Sequence, residues 1–125
     1  MNLLWVMLGG AVGSGARYLV SGAWLGEASA RFPYGTLTVN LVGCFLIGIL
    51  ATTLSAATGA RPELRLALIV GLLGGFTTFS SFGLETIDLI RSGRVGAALA
   101  YVSISTVVGV ALAYGGIRVG TALAT

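Results

Sequence analysis

Four long apolar stretches follow one another with almost nothing between them, and each is long enough to cross a bilayer as a helix. They run from about Leu3 to Leu25, Gly35 to Ala57, Leu64 to Ile90 and Val95 to Ile117. The breaks carry ordinary punctuation: Glu27, Arg31 and Pro33 in the first, Thr58-Gly59-Ala60-Arg61-Pro62-Glu63 in the second, Arg91-Ser92-Gly93-Arg94 in the third. A backbone in hydrocarbon must satisfy its own polar groups, so a spanning chain is either helical or a closed barrel. These runs are far longer than barrel strands. The sequence therefore predicts an all-α membrane protein: a single domain of four transmembrane helices over residues 1–125. Only 9% of the residues are charged, against about 25% in a soluble domain.

The polar minority narrows function by exclusion. All seven basic residues are arginines, placed singly or in pairs near span ends, which fits membrane topology and gives no nucleic-acid surface. With His absent and Cys44 the sole cysteine, the chain has neither an internal disulfide nor a Cys/His zinc set. Cys44 reads as a small packed residue. Ala28-Ser29-Ala30 resembles a signal-peptide cleavage site, but Met1-Asn2 supplies no basic n-region and Arg17 interrupts the apolar run. The first stretch is expected to be a retained span.

Arginine placement carries a topological message. Four spans put Arg61, Arg65 and Arg118 on one side and Arg31, Arg91 and Arg94 on the other. Orientation normally follows an excess of basic residues in cytoplasmic loops. Here the two sides match, Arg17 within span one left aside, and the chain is expected to insert both ways round; the alternative is that one shifted span boundary or a further factor fixes a single orientation. Dual insertion permits an antiparallel homodimer. Gly9 and Gly13, Gly71 and Gly75, and Gly116 and Gly120 stand four apart on helix faces. Such spacing lets backbones approach closely in lipid, within a subunit or between two.

The segment Gly74-Gly75-Phe76-Thr77-Thr78-Phe79-Ser80-Ser81-Phe82 lies in the middle of span three. Paired glycines are poor helix formers, and four hydroxyls in five positions are foreign to an apolar span, so an interrupted helix is expected. A break at membrane depth frees backbone groups that need protein, water or an ion as partner. A kink satisfied by Ser/Thr bonding back to the helix is the alternative. Phe79 and Phe82 share a helix face; the positive edge of an aromatic ring can line the path of a small anion, although lipid contact or packing explains such a pair equally well. Asn40 in span two adds an amide at membrane depth, and Tyr101, Ser103, Ser105 and Thr106 add hydroxyls in span four. Arg17, Glu85 and Asp88 are the charges nearest the hydrocarbon; Arg17 and Glu85 approach the same side, which makes pairing geometrically possible, but snorkelling to the interface is the simpler reading for Arg17 and Asp88. Glu85 and Asp88 have no nucleophile or metal ligands beside them, so the chain does not read as an enzyme.

Gly13-Ser14-Gly15-Ala16-Arg17-Tyr18, Gly35-Thr36-Leu37-Thr38-Val39-Asn40-Leu41-Val42-Gly43 and the Gly74–Phe82 run, in that order and on those spans, resemble the CrcB/Fluc family of fluoride channels. The resemblance covers essentially the whole chain; Phe76 stands where leucine is common and Ser81 where threonine is. It implies an antiparallel, dual-topology homodimer with two antiparallel pores at the subunit interfaces. It also implies a structural sodium ion held by backbone carbonyls of Gly74 and Thr77 from both subunits. Phe79 and Phe82 match the phenylalanine pair of the pore, Asn40 a vestibule asparagine, Glu85 an acidic position near one pore end, and Arg17 a span-one arginine with a structural role. Ser80, Ser81 and Ser105 resemble members of a polar track. The implied function is passive fluoride export across a bacterial inner membrane, which lowers cytoplasmic fluoride and confers fluoride resistance. A small multidrug-type cation/proton antiporter shares the architecture but needs a carboxylate deep in span one, where this chain has only Arg17. A non-conducting structural membrane subunit is the other rival, in which the polar residues only cross-link helices.

Overall fold

A computed structural model describes residues 1–22, 31–56 and 61–124. The expected end of span one at Leu25, Glu27, the Ala28-Ser29-Ala30 segment and the turn at 57–60 lie outside the described residues. Helix α1 is Asn2–Gly22 and α2 is Tyr34–Ala56. The third span, Pro62–Arg91, is split into α3 (residues 62–76) and α4 (Phe79–Arg91); α5 is Val95–Leu123. All four spans are long and apolar enough to cross a membrane. Pro62 opens α3 at a position where its missing N–H leaves no bond unmade. Both α3 and α5 widen into π-helical turns, at Leu66–Leu73 and Ile104–Val108.

The fourth span continues past the expected Ile117 to Leu123. Packing explains the extension: the last turns still press on α2, with Gly120 against Ile49 and Thr52, while the exposed Arg118 reaches back to the Tyr114 hydroxyl at 3.5 Å. The glycines set the layout. On one side of the subunit α1 lies against α3, where a Cβ on Gly9 would overlap the Ala67 carbonyl and one on Gly13 the Leu72 carbonyl. Gly71 and Gly75 meet the α1 backbone at Val6 and Gly10. On the other side α2 meets the end of α5, with Gly48 against the Ala113 carbonyl and Gly116 against that of Phe45. All three glycine pairs singled out in the sequence thus serve close packing within one subunit.

The buried hydrophobic set is small: Val39, Leu73, Phe76, Leu89, Ala98 and Tyr101. Many other large apolar side chains are exposed, among them Leu3, Leu19, Phe79, Val107 and Leu123, as lipid contact requires. Leu89, Ala98 and Tyr101 form one cluster with Phe32, Leu37 and Phe82 around it. A tight turn holds α4 against α5 there. Gly93 takes φ 76°, its N–H bonds the Ile90 carbonyl at 3.0 Å, and Arg94 N–H bonds that of Leu89 at 2.9 Å. This Schellman ending needs a residue tolerant of left-handed backbone.

Candidate functional site

The interruption falls at Thr77 and Thr78, both of extended backbone (φ −79°, ψ 157° and φ −150°, ψ 114°). Thr77 still bonds back to the Leu73 carbonyl, through its N–H at 2.9 Å and its hydroxyl at 3.0 Å. Thr78 does not. Its N–H donates to Asn40 Oδ1 at 2.8 Å, and its carbonyl accepts from Asn40 Nδ2 at 3.1 Å. The Thr78 hydroxyl then caps α4 by accepting the Ser81 N–H at 3.2 Å and donates to Ser81 Oγ at 3.0 Å, with Ser80 Oγ at 3.3 Å.

These bonds have a consequence for the carbonyls. In an unbroken helix the Gly74 carbonyl would accept from Thr78 N–H and the Thr77 carbonyl from Ser81 N–H. Both donors are diverted, the first to Asn40 and the second to the Thr78 hydroxyl. Gly74 is exposed on the subunit surface, with nothing near the place a Cβ would occupy.

Beside the break lies a cavity of about 430 Å³, whose lining includes Asn40, Gly74, Thr77, Phe79, Phe82 and Ser105. None of its described lining residues is charged. Asn40 has one amide hydrogen left after bonding Thr78. The Ser105 hydroxyl is buried and, among the described residues, has no hydrogen-bond partner; a buried polar atom in that condition calls for a ligand or water. Phe79 and Phe82 pack with centroids 5.5 Å apart, and Phe79 is 84% exposed.

One helical turn beyond Phe82, the Glu85 carboxylate is held from both sides. Oε1 accepts from the Thr36 hydroxyl and Oε2 from the Tyr101 hydroxyl, each at 2.7 Å. The Tyr101 ring is fully buried and sits 5.2 Å from Phe82 and, edge-on, 5.5 Å from Phe32. Glu85 also lines a second cavity, of about 510 Å³, at the end of the spans where Arg31–Pro33 meets the α4–α5 turn.

The residues expected from sequence divide accordingly. Asn40, Gly74, Thr77, Phe79, Phe82 and Ser105 meet at the first cavity, and Glu85 and Tyr101 form the adjoining cluster. Ser80 is exposed beside the break, while Ser81 serves the α4 cap. Arg17 is half-buried on α1, lines neither cavity, and leaves Glu85 to Thr36 and Tyr101. Thr36, Thr78 and Phe32 were not singled out individually. Two of them had a signal: Thr36 stands one turn before Asn40 on the same face, and Thr78 three and four residues before Ser81 and Phe82.

Comparison with known proteins places this arrangement. Residues 4–117 match the family described as CrcB-like protein, Camphor Resistance (CrcB). A protein of Methylobacillus flagellatus named fluoride-specific ion channel FluC is 50% identical over 112 residues, 89% of this chain and 88% of its own length. Proteins of the same name from Agrobacterium fabrum and Acidobacterium capsulatum are 46% and 45% identical over 121 residues, each match covering 96% of both chains.

Proposed function

Because this chain belongs to the CrcB-like family, we propose that it is a fluoride-selective ion channel, a multi-pass protein of a bacterial inner membrane that lets fluoride leave the cytoplasm passively. The observation that carries the reading is the uncharged cavity at the helix break, where Asn40, Ser105, Phe79 and Phe82 meet on an otherwise largely apolar wall. Fluoride is small and strongly hydrated, so a pore must replace its water shell with donors. The free Asn40 hydrogen, the unpartnered Ser105 hydroxyl and the edges of Phe79 and Phe82 supply them. Fixed full positive charge there would hold the ion too well for conduction, which requires sites an ion can leave.

The working unit is an antiparallel homodimer with two pores along the subunit interface. Support comes from the surface of the lone subunit, where Phe79, Gly74, Ser80 and Thr106 are exposed at mid-span. Hydroxyls facing hydrocarbon are costly, and a second copy covers them. Balanced arginines on the two sides allow that copy to run the opposite way. The Gly74 and Thr77 carbonyls of the two subunits would hold a structural sodium ion. The fit rests on the two diverted N–H groups, which take the ordinary helical donors away from those same two carbonyls. Carbonyl oxygen suits a hard cation, and the bound ion would supply positive charge that fixes the irregular backbone of both subunits.

The test is fluoride efflux from liposomes containing the purified protein, with chloride as the parallel control. Rapid fluoride loss without chloride loss is expected. No flux of either ion from a folded dimer in sodium would return the chain to the structural-subunit reading.

A further inference from the structure

The cavity beyond Glu85 has a mixed lining. Its lining includes Arg31 and Arg94, Glu85 and Asp88, and the hydroxyl residues Ser21 and Ser92. Glu85 is held by the Thr36 and Tyr101 hydroxyls rather than by either guanidinium. The formal charges of the described lining cancel, and among the described residues neither arginine is paired with one acid. Arg31 and Asp88 are exposed and Arg94 is half-buried, so water reaches them all.

Such a balance matters at the end of an anion path. In the channel reading, an anion leaving the first cavity past Phe82 nears Glu85, one turn further along α4, and Asp88 one turn beyond that. A unit charge about 10 Å away changes the local concentration of a monovalent ion by about twofold in water, and by more beside protein. Two uncompensated carboxylates would therefore deplete fluoride at the mouth. We propose that Arg31 and Arg94 are counter-charges that keep this mouth electrically neutral, and that the net charge of the mouth sets the fluoride rate there. The inference rests on the channel reading above. Hydrated guanidinium groups suit the task, since they cancel a potential without stripping the ion of water and trapping it.

The experiment is fluoride efflux from liposomes at low and at high ionic strength, the latter set with an impermeant salt. Arg94→Gln should slow efflux by about two- to fivefold at low ionic strength, with the gap closing at high ionic strength. Asp88→Asn, a change at an exposed side chain, should speed efflux at low ionic strength. The double variant should return close to the parent rate. An Arg94→Gln defect that persists at every ionic strength and is not repaired by Asp88→Asn would make the arginine a packing residue and overturn the proposal. So would an Asp88→Asn protein with unchanged efflux at low ionic strength. Parent protein that conducts no fluoride at all would remove the channel reading and this inference with it.

Discussion

Asn40 hydrogen-bonds both sides of a single residue in the broken span, accepting from the N–H of Thr78 and donating to its carbonyl. Thr78 is 8% exposed, so water is a poor substitute for either bond. The side-chain amide thus stands in for a strand partner that a helical bundle cannot offer. It allows two residues of extended backbone to persist at membrane depth, where unsatisfied groups cost several kcal/mol. The same pairing diverts the donor from Gly74 and leaves one amide hydrogen of Asn40, a residue of the cavity lining, unused by Thr78.

Asn40→Asp follows directly. The carboxylate still accepts from Thr78 N–H but cannot donate to the carbonyl, and stranding a buried acceptor costs about 1–3 kcal/mol. It also places a fixed anion in the proposed path of another. Fluoride efflux should be nearly abolished and thermal stability in detergent lowered. Unchanged efflux would take Asn40 out of the pathway.

Phe82→Ile separates pore lining from packing. The ring touches both Phe79 and Tyr101, yet isoleucine preserves much of the buried apolar volume. A ring edge that stabilises the passing anion by about 1.4 kcal/mol corresponds to about tenfold in rate. Efflux should fall by that order, while the elution position in size-exclusion chromatography stays that of the parent protein. Full conduction by this variant would sink the ring-edge role.

Sodium should matter to assembly as well as to flux. A ion bound only by the paired subunits stabilises the dimer by mass action. Replacing sodium with a bulky organic cation should loosen the dimer or stop efflux. Activity indifferent to sodium would count against the Gly74 and Thr77 carbonyls as its ligands.

The sequence made some features legible and hid others for identifiable reasons. Hydropathy and punctuation located the four spans, because in lipid the length of an apolar run is itself the structural constraint. Gly74-Gly75 and the hydroxyl run marked the interruption for the same local reason. Side-chain pairing was harder. The sequence allows Arg17 to pair with Glu85 but does not point to the partners Glu85 has, Thr36, 49 positions away, and Tyr101, 16 positions away. Nothing local distinguishes those partners, since any buried hydroxyl on a facing helix would serve. The part Ser81 plays in capping was not legible: its N–H donates to the Thr78 hydroxyl and its Oγ accepts from it at the start of α4. That role follows once the break falls at Thr77-Thr78, and composition alone does not fix the break to the residue.

Two neighbouring glycines give a sharp test of the packing. A Cβ on Gly116 would overlap the Phe45 carbonyl and lie 3.2 Å from the Gly48 Cα, both of them backbone that cannot swing aside. A Cβ on Gly115, one position earlier in α5, meets nothing within 4 Å. Gly116→Ala must push α2 and α5 apart, an overpacking cost of about 1–3 kcal/mol. Gly115→Ala removes backbone freedom from a helix interior at no steric cost and should be neutral or stabilising by about 0.5–1 kcal/mol. Thermal midpoints measured by size-exclusion after heating in detergent should move in opposite directions or, at the least, fall only for Gly116→Ala. Equal losses in both variants would mean that the α2–α5 seam is not the glycine contact described above. The Gly116 result also bears on the proposed pore, because the same two helices carry Asn40 and Ser105 to the cavity. A seam forced apart should slow fluoride efflux along with stability, whereas Gly115→Ala should leave the efflux rate unchanged.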